Sequence, residues 1–137
     1  MQSLSWLTAA LISMVCFGLW GFFSKMTIYY VDAKSGLLYQ VVGFAIIGLM
    51  LLSFMNFKPD NDMRGIGFGV LAGFASSIGS LLLLVAADKG KVTTVVTLTA
   101  LYPLITILLA YLLLKEGINS KQACGVVFAL AAIYLLT

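Results

Sequence analysis

Runs of about 20 apolar residues recur five times along this chain between short polar turns, a pattern that narrows the possible folds more than any other feature. About 20 residues at 1.5 Å each cross the hydrocarbon core of a bilayer. Backbone N–H and C=O groups find no water there, so each run must be a helix that satisfies its own backbone. Five transmembrane helices are expected, at about residues 4–30, 35–55, 65–87, 92–114 and 119–136. They use up the 137 residues and leave no room for a soluble domain. Only 9% of the residues are charged, against about 25% in a soluble domain. The chain therefore reads as an all-α membrane protein. Its net charge of +3 is spread over the turns and makes no nucleic-acid patch.

The fourth run, Val92 to Glu116, carries the densest polar pattern. Thr99, Tyr102, Pro103 and Thr106 recur at helical spacing and share a face. Pro103 has no N–H for the carbonyl of Thr99, and its ring pushes that carbonyl aside. Such a face must meet protein, water or a ligand. A kink satisfied by a neighbouring helix accounts for it equally well.

Helix one places Trp6 and Tyr29 at opposite interfaces, with Lys25 about 6 Å inside the second. An ionisable group at that depth is a functional candidate, although its four-carbon stem can also snorkel to the headgroups. Trp20 lies nearer the middle. Tyr39 and Gln40 are the polar members of helix two. Helix three carries Gly65, Gly69, Gly73 and Ser77 in one row and Ala72, Ser76 and Ser80 in another. Rows of this kind let helix backbones approach closely in lipid, and Gly125 starts a similar face on helix five. The serine hydroxyls can equally bond their own backbone carbonyls one turn back. Gly117 is expected to end helix four as a left-handed cap, and Asn119 with Gln122 to open helix five as a capping pair. Short turns make helices three, four and five antiparallel neighbours.

The segment NFKPDNDMR is a solvated loop. Its Asp60-Asn61-Asp62 lacks the glycine and distal glutamate of a calcium loop, so no metal is assigned. Cys16 and Cys124 read as small packing residues rather than a disulfide. The first 21 residues lack the basic start of a signal peptide and exceed its apolar length, which marks a retained helix.

Because successive helices alternate in direction, Lys25, Tyr39, Gln40, Asp88, Thr94 and Thr97 fall toward one side. Trp20, Ser76, Ser77, Thr99, Tyr102 and Pro103 form a middle layer, the depth at which transporters place their substrates. Lys and Arg near the helix ends divide four against four between the two sides, a balance that favours insertion in both orientations and an antiparallel dimer. The chain has no histidine and no carboxylate in the middle of a run. A buried proton relay, paired catalytic carboxylates, a Cys–His pair and a nucleotide-binding glycine loop are all missing. The sequence argues against an enzyme and calls for no cofactor.

Trp20-Gly21 followed by Lys25, and Leu101-Tyr102-Pro103-Leu104 running through LLLKE to Glu116, Gln122 and Gly125, resemble the EamA domain of the drug/metabolite transporter superfamily. The likeness spans nearly the whole chain and is most specific from helix four to helix five. It implies a single EamA unit of five helices, similar to the small bacterial and archaeal transporters; larger members look like two such units fused in inverted orientation. The family pattern usually has Gly before the glutamate, where this chain has Lys115. The four-helix small multidrug-resistance relatives carry an acidic residue in helix one; this chain has none there, so their proton antiport does not carry over.

The resulting expectation is a multi-pass transporter of small organic solutes in a prokaryotic cell membrane, working as a homodimer by alternating access. Trp20, Tyr39 and Tyr102 supply aromatic walls, Ser76, Ser77 and Thr99 hydrogen bonds, and Lys25 attracts anionic solutes. A non-transporting assembly subunit and a flippase of lipid-linked substrates are the alternatives.

Overall fold

The computed structural model describes residues 5–117 and 119–136. Among them the regular structure is entirely helical: α1 (Trp6–Ile28), α2 (Ala33–Phe54), α3 (Met63–Lys89), α4 (Val92–Thr99), α5 (Tyr102–Leu109) and α6 (Ser120–Leu136). Residue 4, where the first helix was expected to start, lies outside the described residues. The chain divides into two compact units, Met1–Lys89 and Gly90–Thr137.

Local chemistry explains the ends of the first three helices. The Ser5 hydroxyl accepts from the Thr8 N–H at 3.2 Å and caps α1. Asp32 caps α2 by accepting from the N–H groups of Lys34 and Ser35 at 3.1 and 3.4 Å. The hydroxyl and N–H of Ser35 hold the Asp32 carboxyl below its ordinary value of 3.8. Asn56 and Phe57 take positive φ, and the Phe57 N–H closes on the Leu52 carbonyl at 3.0 Å as the chain leaves α2. Asp62 caps α3 through the N–H groups of Arg64 and Gly65 at 2.8 and 3.2 Å. That cap starts α3 two residues before the expected boundary and shortens the loop. It also gives the Asp60–Asp62 cluster a structural use.

The core of the first unit sits where the end of α1, the start of α2 and the end of α3 meet. Ser80, Leu83, Leu84 and Ala87 form the buried stripe of α3, and Gly21 and Ser24 of α1 and Gly36 of α2 are buried as well. A Cβ on Gly36 would lie 3.1 Å from Thr27 Cγ2 and 3.5 Å from Leu84 Cδ1. Gly36 is therefore a close-approach glycine of this unit. Built Cβ atoms on Gly69, Gly73 and Gly125 meet nothing within 4 Å, and one on Gly65 meets only Asp62 Cβ of its own cap. Cys16 and Cys124 are free thiols on exposed surface rather than packing residues.

In the second unit the expected single helix over 92–114 is interrupted. Pro103 cannot donate to Thr99, and the Leu104 N–H turns to the Leu101 carbonyl at 2.9 Å, so the helix breaks at Ala100–Leu101. After α5 a π-helical turn, Ala110–Leu114, runs into Lys115 at φ 54°, ψ 31°. The left-handed residue is thus Lys115, not Gly117. Lys115 occupies the position at which the resembled pattern usually has Gly, a residue that adopts this conformation without a Cβ penalty. The Asn119–Gln122 capping pair forms in both directions, at 3.0 and 2.8 Å.

Among the described residues, four stretches are long and apolar enough to cross a membrane: Trp6–Ile28, Ala33–Phe54, Met63–Lys89 and Val92–Leu114. The fifth expected span, α6, has 17 residues, a rise of about 25 Å against a core of about 30 Å.

Candidate functional site

The polar residues of α1, α2 and α3 converge at the packed end of the first unit. Gln40 donates its Nε2 to Ser24 Oγ at 3.0 Å, and Ser24 is 2% exposed. Lys25, the next residue of α1, donates Nζ to the carbonyl of Ala87. That carbonyl is one of the last four of α3, which the helix cannot satisfy itself. The same ammonium lies 5.2 Å from the centre of the Tyr29 ring. A cation here also meets the negative end of the α3 dipole. Lys25 thus clamps α1 to the end of α3.

Two polar atoms in this region are buried without a protein partner: Trp20 Nε1 and Gln40 Oε1. Trp20 lies one helical turn before Ser24 on α1, and Gln40 is bonded to Ser24. One spare group is a donor and the other an acceptor. Leaving such atoms without a partner costs about 1–3 kcal/mol each.

The remaining candidates are distributed otherwise. Ser76 and Ser77 line a groove of about 580 Å³ between α2 and α3, walled by Val41, Phe44, Val70 and Phe74. Ser77 directs its hydroxyl to the Gly73 carbonyl at 2.9 Å. Tyr39 is exposed. Thr99, Tyr102 and Pro103 belong to the second unit. There Thr99 Oγ1 donates back to Val95 and Val96 at 3.0 Å, Tyr102 is exposed, and Pro103 lines a cavity of about 430 Å³ with Tyr111, Glu116, Gln122 and Gly125. Backbone bonding thus occupies the donor of two of the three proposed hydroxyls.

Ser24 and Gly36 were not singled out from the sequence. Their signal was present: Gly21 and Ser24 lie three apart on α1, and Gly36 and Gln40 four apart on α2, each pairing a small residue with a polar one on a single face.

The sequence model of the EamA-like transporter family matches residues 4–137. An uncharacterized protein of Methanocaldococcus jannaschii is 31% identical over 131 residues, 93% of this chain and 92% of that protein. An uncharacterized transporter of Helicobacter pylori is 25% identical over 93% of this chain but only 43% of its own length. An uncharacterized transporter of Synechocystis is 34% identical over 65% of this chain and 29% of its own length. The chain thus spans less than half of the relatives that carry a transporter name. No solved structure gave a significant match.

Proposed function

From the premise that the chain belongs to the EamA-like transporter family, we propose that this multi-pass membrane protein carries small organic solutes by alternating access. The observation that carries the reading is the buried, unpartnered pair Trp20 Nε1 and Gln40 Oε1 beside Ser24. Polar groups inside apolar helices are what a solute pathway requires. Gln40, Trp20 and Ser24 are its candidates in this reading, with Ser76 and Ser77 on the α2–α3 groove. Tyr39 is a further candidate in the first unit, Thr99, Tyr102 and Pro103 are candidates of the second unit taken by itself, and α6 acts as a fifth span in this proposal.

The working form in this proposal is a pair of chains in a prokaryotic cell membrane. Gly65, Gly69, Gly73 and Gly125 offer open faces on which helices of a second copy can pack closely. The even division of Lys and Arg favours an antiparallel pair, which reproduces the two-unit length of the longer relatives. Saturable solute flux into vesicles holding the purified protein, with a dimer by native mass measurement, is the expected result. Inert vesicles with a co-purifying partner defeat the proposal in favour of an assembly subunit, and lipid scrambling without solute flux favours a flippase.

A further inference from the structure

We infer that the cleft lined by α5, its π-helical end and α6 is a binding site for a small organic ammonium with an apolar body, its charged head held at Glu116. The site lies wholly in the second unit and does not rest on the transport reading above.

The cavity of about 430 Å³ is of the size that holds a small organic molecule. Its lining divides by chemistry. Pro103, Leu104 and Ile107 of α5 and Val126 of α6 are apolar walls, and the small residues Gly125 and Ala129 of α6 leave the space beside them open. Glu116 and Gln122 stand where the chain turns from the π-helical segment into α6. Among the described residues Glu116 is the one charged member of the lining; its basic neighbours in sequence, Lys115 and Lys121, are not part of it.

The backbone holds Glu116 at this place. Lys115 in its left-handed conformation turns the chain back, and the Glu116 N–H closes on the carbonyl of Ala110, another lining residue, at 3.3 Å. Gln122 is pinned as well, because its Oε1 accepts from the Asn119 N–H at 3.0 Å. That oxygen is committed to the cap, which leaves Glu116 as the charged acceptor of the turn. The carbonyl end of the π-helical segment and the amino end of α6 meet here, with about −0.5 and +0.5 of a charge, and largely cancel. The NH₂ of Gln122 is a neutral donor, so the full negative charge of Glu116 sets the sign. A carboxylate ligand is repelled, a neutral one gains no ion pair, and an ammonium gains a charge-assisted hydrogen bond. Tyr111 adds an aromatic ring to the lining, and such rings attract organic ammonium groups. The apolar walls take the body of the ligand out of water.

Equilibrium binding to the full chain in lipid nanodiscs, with empty nanodiscs subtracted for partition into lipid, is the test. The probes share one apolar body: 2-phenylethylammonium, 2-phenylethanol and phenylacetate. The ammonium is expected to bind saturably, with the alcohol about tenfold weaker and phenylacetate weaker again, since a charge-assisted hydrogen bond separates the first two. Glu116→Gln is expected to bring the ammonium to the level of the alcohol, and Glu116→Asp to restore most of the preference. The order of the probes needs no substitution and decides the matter where the glutamine variant fails to fold. Equal binding of all the probes, no saturable ammonium binding, or a preference that survives Glu116→Gln overturns the inference. Solute flux is measured separately. Vesicles that bind the ammonium but carry no solute defeat the transport reading and leave this site standing; flux of other solutes without ammonium binding does the reverse.

Discussion

Replacing Lys25 by Met removes the charge while keeping a flexible apolar stem of similar length. The hydrogen bond to Ala87 is charge-assisted and contributes about 1.5–3 kcal/mol; the contact with the Tyr29 ring adds about 0.5–1 kcal/mol. Because Ala87 is only 2% exposed, its carbonyl is left without water as well as without Lys25. These terms overlap, and a net loss of about 2–3 kcal/mol is expected. Lys25→Arg keeps the charge and should retain most of the stability. Equilibrium unfolding in mixed micelles, followed by far-UV circular dichroism, gives the comparison. A Met variant within about 0.5 kcal/mol of the parent, the range of ordinary surface substitutions, would show that the ammonium rests among headgroups and that the clamp is wrong. Full stability with lost flux would instead return Lys25 to the solute pathway.

Three further outcomes follow from the geometry. Gly36→Leu forces a side chain against Thr27 and Leu84 and should destabilise by about 1–3 kcal/mol, whereas Gly43→Leu, at a site open in this chain, serves as the tolerated control in the same unfolding assay. Lys115→Gly relieves the left-handed backbone at φ 54° and should raise stability by about 1 kcal/mol; a lower melting temperature would contradict the assigned conformation. The depressed folded-state pKa of Asp32 means that its cap is fully stabilising above the unfolded value of 3.8 and is lost as pH falls through the folded value. Asp32→Asn should flatten this part of the acid limb, and an unchanged limb counts against the cap.

Much of the fold was legible because its signals are local. The break before α5 follows from Pro103, and the start of α6 from Asn119 and Gln122, each a signal within a few residues of its effect. The side to which Lys25 and Gln40 fall was also readable, from counting residues along helices that alternate in direction. Ser24 was missed because a lone serine in an apolar run is ordinary, and its meaning comes from Gln40 across the helix interface. Gly36 was missed for the same reason, while the longer glycine row of α3 drew attention and yet lies open in the chain.

The sequence by itself determined that the chain crosses a membrane as helices, since apolar runs of this length leave the backbone no other way to satisfy its polar groups. It could not determine which side of each helix meets another. In lipid both the buried and the bilayer-facing sides are apolar, so the periodicity that orients a soluble helix is nearly absent. Only the tertiary structure joined Lys25 to the carbonyl of Ala87, 62 residues away. It also bonded Gln40 to Ser24 across the α1–α2 interface.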